Sequence, residues 1–264
     1  MSCVPEWAQE GMTCPYGRYL PLGITLPNSP GSWDYIGVIF GYVPWILCFG
    51  ICIMFLVYRG TRELAVGLLP AFVAAINEII KLLILQPRPM QSCLTSCGMP
   101  SSHSAVSVAL LLYLVLDAVY RVDPRICDHS SFFPGLASIK DTCFKMGPGF
   151  LILPFESMSR GEFSAYLSVW VVLLFPVPIS RILLNDHSPT QVLAGTLVGL
   201  VAVCVWFPFV LYVRSLLQDR VGDKFAMVFV HNYDIPNAWK EIEKIKDGSG
   251  DPLVDPIDTN AISI

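Results

Sequence analysis

Glu63-Leu-Ala-Val-Gly-Leu-Leu-Pro-Ala-Phe-Val-Ala-Ala-Ile-Asn-Glu-Ile-Ile-Lys81-Leu-Leu-Ile-Leu-Gln86-Pro-Arg88-Pro89 is a long apolar run that closes on two cations and two prolines. Its hydrophobicity is continuous rather than alternating, which predicts a helix and not a barrel strand. A bilayer core of about 30 Å takes roughly 20 such residues, so Glu63 to Gln86 reads as a membrane span. Residues 35–58, 101–120, 163–184 and 190–213 read the same way. With 54% hydrophobic and 14% charged residues in 264, the chain is too apolar for an ordinary soluble domain. The expected fold is all-α, a polytopic transmembrane bundle of about five spans.

Residues 1 to about 30 have no apolar signal-peptide core, so the first span is expected to act as the uncleaved insertion signal. Five spans put the N-terminal segment, the loop 87–100 and the turn 185–189 on one face. Outside the polar motifs that face carries only Arg18, whereas Arg59, Arg62, Arg121, Arg125, Lys140, Lys145, Arg160 and the basic residues of the tail fall on the other. The positive-inside rule then makes the first face lumenal or exterior. The expected organisation is a lumenal segment 1–34, a transmembrane core 35–215 with a cytosolic loop 121–162, and a cytosolic tail 216–264. The tail's last fifteen or so residues read as disordered. Cys3, Cys14, Cys93 and Cys97 lie on the oxidising side and can form two disulfides, with the pairing left open. Cys127 and Cys143 fall in the loop assigned to the cytosol, which weakens that support, and Cys48, Cys52 and Cys204 read as small packing residues within spans.

Three polar clusters share the lumenal face. Lys81 and Arg88 are seven residues apart, two turns and about 10 Å along one helix face, so both can point toward one anion. Snorkelling of basic side chains at a helix end is the alternative. Glu78 stands three residues before Lys81 and is expected to pair with it. Pro100-Ser101-Ser102-His103 opens the third span, where serines cap a helix and leave backbone N–H groups for an anion; a plain cap is the alternative. His103 can donate a proton to a leaving oxygen. Arg181 ends the fourth span, and His187 follows in the turn before the fifth. A neutral imidazole attacks phosphorus and splits one hard displacement into two, while Arg181 would neutralise phosphate oxygens. Taken alone, His187 also fits an interfacial loop residue. Three cations and two imidazoles gathered beside a bilayer by accident would be costly, so together they favour a phosphate-cleaving site. No His/Asp/Glu set has metal-ligand spacing; neither a metal nor another cofactor is expected.

These residues resemble the type 2 phosphatidic acid phosphatase superfamily, with its signature KxxxxxxRP, PSGH and SRxxxxxHxxxD. Lys81, Arg88 and Pro89 match the first part, Pro100, Ser101 and His103 the second, and Ser180, Arg181 and His187 the third, over roughly residues 35–215. Ser102 replaces the glycine, and Gln191 stands where the family has the aspartate that orients the histidine. The resemblance implies His187 as nucleophile, His103 as general acid then base, Lys81, Arg88, Ser102 and Arg181 as phosphate binders, and Gln191 as the histidine-orienting residue. Gln86-Pro-Arg88-Pro, Gly98-Met-Pro-Ser-Ser-His-Ser104 and His187-Ser-Pro-Thr-Gln191-Val look like the dolichyl diphosphatase branch. That likeness implies a polyisoprenyl (dolichyl) diphosphate substrate, an endoplasmic-reticulum membrane location, a lumenal site and a part in dolichyl phosphate recycling for N-glycosylation. Membrane lipids are the other expected contacts, and nucleic acid is not a partner. The rival readings are a broader phosphatase of phosphatidate or sphingoid phosphate, and a non-catalytic lipid-phosphate-binding protein.

Overall fold

The structure is a computed structural model that describes residues 3–58, 61–120, 122–123, 143–144 and 160–218. A short helix α1 (Glu6–Gln9) and a hairpin, β1 (Gly17–Leu20) with β2 (Ile24–Pro27), precede the bundle. The bundle is α2 (Ser32–Tyr58), α3 (Thr61–Ile84), α4 (Ser102–Tyr120), α5 (Arg160–Leu174), α6 (Pro176–Leu183) and α7 (Pro189–Gln218). Between α4 and α5, β3 (Val122–Asp123) pairs antiparallel with β4 (Cys143–Phe144). The other expectations for the loop 121–162, and all those for the tail beyond Gln218, lie outside the described residues.

The protein is an all-α, multi-pass membrane bundle. Four helical segments are long and apolar enough to cross a bilayer: Ser32–Leu56, Glu63–Ile84, Ser164–Leu183 and Pro189–Val213. The remaining expected span is a shorter apolar helix, Ser102–Ala118. It meets protein on many sides: α4 sits in the middle, against α2, α3, α5, α6 and α7. Large side chains such as Phe49, Leu82, Val172 and Val205 face outward from the surrounding helices, as lipid-facing positions do.

Small residues let α4 occupy that centre. Ser101, Ser104, Ser107, Ala105 and Ala109 are all buried. Ser104 donates to the Ser101 hydroxyl at 3.0 Å and Ser107 to the Ser104 carbonyl at 3.2 Å, so these hydroxyls need no external partner. On α7, Gly195 and Gly199 lie one turn apart, and a Cβ on either would overlap the backbone of Ser101 or Ala105. This is the close approach that small residues allow between membrane helices. The apolar core continues through Val66, Leu69, Val73, Leu110, Tyr113, Leu114, Leu174 and Val203.

Two helix boundaries depart from expectation. The second span stops at Ile84, not Gln86, with Leu85 in the left-handed region (φ 50°) and its N–H on the Lys81 carbonyl at 3.0 Å. Pro87 disfavours helical geometry at Gln86, so Lys81 and Arg88 do not share one helix face; Arg88 comes from the loop. The fourth span breaks at Phe175–Pro176 into α5 and α6, because proline supplies no N–H to the ladder. Pro44, Pro70 and Pro208 are carried inside α2, α3 and α7.

The hairpin pairs Leu20 with Ile24 and Gly17 with Pro27. Cys3 is bonded to Cys97 and Cys14 to Cys93, which ties the N-terminal segment to the loop between α3 and α4. Cys48, Cys52 and Cys204 are free, and the last two face outward rather than packing inside.

Candidate active site

The third cluster is shaped by how α6 ends. Asn185 takes a left-handed conformation (φ 54°), which asparagine tolerates. Its N–H then bonds the Ile182 carbonyl at 3.0 Å and the Asp186 N–H bonds the Arg181 carbonyl at 3.1 Å, a Schellman closure. The His187 N–H also reaches the Arg181 carbonyl, at 3.2 Å. Arg181, Asp186 and His187 are thereby folded onto one another at the end of α6.

His187 is buried and held at both ring nitrogens. Arg88 Nη1 lies 2.8 Å from Nε2, and Gln191 Oε1 lies 3.3 Å from Nδ1. The Gln191 amide is oriented by its other bonds: Nε2 donates to the Pro87 carbonyl at 2.8 Å and to Gln86 Oε1 at 3.3 Å, while Oε1 accepts from the Ser188 N–H at 3.2 Å. With the amide oxygen facing Nδ1, that nitrogen carries the proton and Nε2 presents its lone pair. Gly98 makes room for this amide, since a Cβ there would stand 2.6 Å from Nε2. Burial, then Arg88 and Arg181 with His103 behind them, push the imidazole well below its usual 6.5 against the pull of the Gln191 bond. His187 is therefore neutral at physiological pH.

Arg88 is fixed from the loop side. Its Nε donates to the Ser96 carbonyl at 2.9 Å, Nη2 to the Ser96 hydroxyl at 3.0 Å, and Nη1 to the Asp186 carbonyl at 3.0 Å. Burial, partly offset by Asp186, lowers the guanidinium to about 10, which leaves it cationic at neutral pH. Arg181 is completely buried and pairs with Asp186 Oδ2 at 2.8 Å. Its Nη2 also donates to the Gly23 carbonyl at 2.6 Å, while Nε and Nη1 have no hydrogen-bond partner among the described residues. Those two donors are available to an anion. Asp186 has its carboxyl raised by burial and drawn back by Arg181 and by the Thr25 N–H, which donates to Oδ2 at 3.1 Å. Asp186 thus serves Arg181 and not the imidazole beside it in sequence.

The first two clusters meet through Ser102. Lys81 Nζ donates to the Ser102 hydroxyl at 2.8 Å and pairs with Glu78 at 2.6 Å. Asn77 Nδ2 donates to Ser102 Oγ at 2.7 Å and to the Pro100 carbonyl at 3.1 Å. Next along α4, His103 Nε2 accepts the Trp45 indole N–H at 3.2 Å. Lys81, Arg88 and Arg181 are all close enough to His103 to act on it electrostatically. The structure therefore brings Lys81, Arg88, Ser102, His103, Arg181, His187 and Gln191 to one end of the bundle.

Trp45, Gly23, Ser96 and the Asp186–Arg181 pair carry no signal in the spacing of the motifs. Asp186 stands next to His187 in sequence, yet nothing local says which way its carboxylate turns. Among the described residues no group of three or more His, Cys, Asp or Glu is placed to hold a metal ion.

A multi-pass helical bundle with three cations and two imidazoles gathered at one of its ends has the build of a membrane phosphatase. The sequence model of the PAP2 superfamily matches residues 62–215, more than half the chain and including every residue of the three clusters. The protein belongs to the PAP2 superfamily, and membership supports a hydrolase acting on phosphate at the membrane. Comparison with curated proteins and with solved structures found no match.

Proposed function

We propose that this protein hydrolyses a polyisoprenyl diphosphate, of the dolichyl type, to the monophosphate and phosphate without a metal. The observation that carries the reading is the neutral His187, its Nε2 lone pair free of a proton and facing Arg88. His187 Nε2 attacks the terminal phosphorus, and the bond from phosphorus to the bridging oxygen breaks with its electrons on that oxygen. A proton taken up by His103 together with the anionic substrate passes to the departing monophosphate. Water then attacks the phosphohistidine, His103 takes the proton, and phosphate leaves as Nε2 recovers its lone pair. Arg88, Arg181, Lys81 and Ser102 bind phosphate oxygens, and Gln191 orients His187.

Gln191 favours a diphosphate substrate. An amide holds the imidazole but does not add the negative charge that would steady its cationic form, so the site suits an easier leaving group. A phosphate monoester leaves far more readily than an alkoxide. The likeness of the three motifs to dolichyl diphosphatases points the same way. The two disulfides on the site's side of the bundle support an oxidising compartment, which together with the charge distribution favours a lumenal site in the endoplasmic-reticulum membrane.

The test is phosphate release by the purified protein in detergent with EDTA, on dolichyl diphosphate, dolichyl monophosphate and phosphatidate. Preference for the diphosphate, undiminished by the chelator, is the expected result. Equal phosphatidate turnover would make it a general lipid phosphatase, loss in EDTA restored by magnesium would end the metal-free reading, and no turnover would leave a phosphate-binding protein.

The pH profile gives a separate check. Because the His187 imidazole sits well below 6.5 when folded, the acid limb of kcat/KM, which reports the free enzyme, is expected below that pH. In the same window the unfolded chain binds a proton that the folded chain does not. His187 thus contributes stability that is present above about 6.5 and lost as pH falls below it. An acid limb at or above pH 6.5 would contradict a neutral nucleophile.

A further inference from the structure

The hairpin β1–β2 lies outside the matched region of the family, yet its turn is built into the candidate site. The turn holds two consecutive left-handed residues, Leu22 (φ 65°) and Gly23 (φ 77°). For a bulky residue such as leucine this conformation persists only where the surroundings hold it. Several contacts do so. The Gly23 carbonyl accepts from Arg181 Nη2 at 2.6 Å, and the turn lies against the His103 ring, whose Cε1 would stand 3.8 Å from a Cβ on Gly23. Ile24 is fully buried against α2, where a Cβ on Gly41 would stand 2.8 Å from Ile24 Cδ1. The Thr25 N–H braces Asp186, and the Thr25 hydroxyl accepts the Cys93 N–H at 3.1 Å. Cys93 itself is bonded to Cys14, and Cys97 to Cys3.

We propose that the Leu22–Gly23 turn is a positioning element of the active site, setting Arg181 through the Gly23 carbonyl and flanking the His103 ring, and that the two disulfides hold it there. The proposal rests on the catalytic roles given to Arg181 and His103 above. Gly23 is suited to the place by backbone rather than by space. A Cβ at this position would meet His103 Cε1 only at an ordinary 3.8 Å, whereas a β-branched residue disfavours φ near +77°. Gly23→Val therefore turns the Gly23 carbonyl away from Arg181 without touching either disulfide. Reduction of the disulfides loosens the same turn from the other end.

The experiment uses the full chain in detergent and compares wild type, Gly23→Val and Cys3→Ser/Cys14→Ser/Cys93→Ser/Cys97→Ser, each with and without reductant. It reads kcat and KM on the lipid phosphate that oxidised wild type turns over fastest, orthovanadate affinity, and helix content by circular dichroism. Misplaced positioning groups cost catalysis on the order of 10- to 100-fold. That fall is expected in kcat for both variants and for reduced wild type, with weaker vanadate binding, less change in KM and helix content retained. Reductant should do nothing further to the four-serine variant. The proposal is overturned if Gly23→Val keeps kcat and vanadate affinity within about twofold, if activity falls only in step with lost helix, or if no form binds vanadate. An oxidised wild type that binds vanadate but cleaves no lipid phosphate would sink the function reading alone, and the affinity ratio between it and Gly23→Val would still decide the positioning role.

Discussion

Replacing His187 with alanine is expected to lower kcat by about 10⁴-fold or more, the scale seen when a covalent nucleophile is removed, with helix content intact. The side chain is buried, but its loss orphans little: Gln191 Oε1 still accepts the Ser188 N–H, and Arg88 keeps Ser96 and the Asp186 carbonyl. A fold effect is thus separable from a chemical one. Incubation with substrate labelled in its terminal phosphate, followed by a rapid quench, should trap an acid-labile, base-stable phosphoprotein in wild type and none in the variant. Residual activity above about 1% of wild type, far more than a missing nucleophile allows, would move the covalent step to another group.

Arg181→Met should damage both turnover and stability. The pair with Asp186 is fully buried at 2.8 Å, and removing one partner of a buried pair costs about 3–5 kcal/mol because the other charge is left unpaired. Turnover is expected to fall by roughly 10²- to 10³-fold through loss of donors aimed at the phosphate oxygens. Arg181→Met/Asp186→Leu distinguishes the two effects. With the orphaned carboxylate gone, the thermal midpoint in detergent should recover most of its loss, while turnover should stay low. Recovery of turnover in the double variant would make Arg181 a structural partner of Asp186 rather than a phosphate ligand, and an undiminished midpoint in the single variant would mean that the pair contributes nothing.

The difference between these two sites shows what the chain discloses locally. Long apolar runs, the order of the three clusters and the identity of their cations and imidazoles are properties of neighbouring residues, and spacing alone displays them. The pairing of Glu78 with Lys81 is legible for the same reason, being one helical turn. The reading that put Lys81 and Arg88 on a shared helix face went wrong over a few residues, where Pro87 and a left-handed Leu85 end α3. The role of Asp186 was out of reach because its partners are set by the hairpin and by the Schellman turn at Asn185. The central position of α4 was equally hidden, since its smallness becomes meaningful only beside Gly195 and Gly199.

By itself the sequence determined a multi-pass helical bundle, the family's three motifs and the residues that meet at one end, because membrane insertion and motif spacing are written in contiguous stretches. Only the tertiary structure decided the Cys3–Cys97 and Cys14–Cys93 pairing, the tautomer of His187, and the hairpin's reach to Arg181, 158 residues away. Each of these depends on where distant backbone carbonyls and amides come to rest, and any residue type offers those groups.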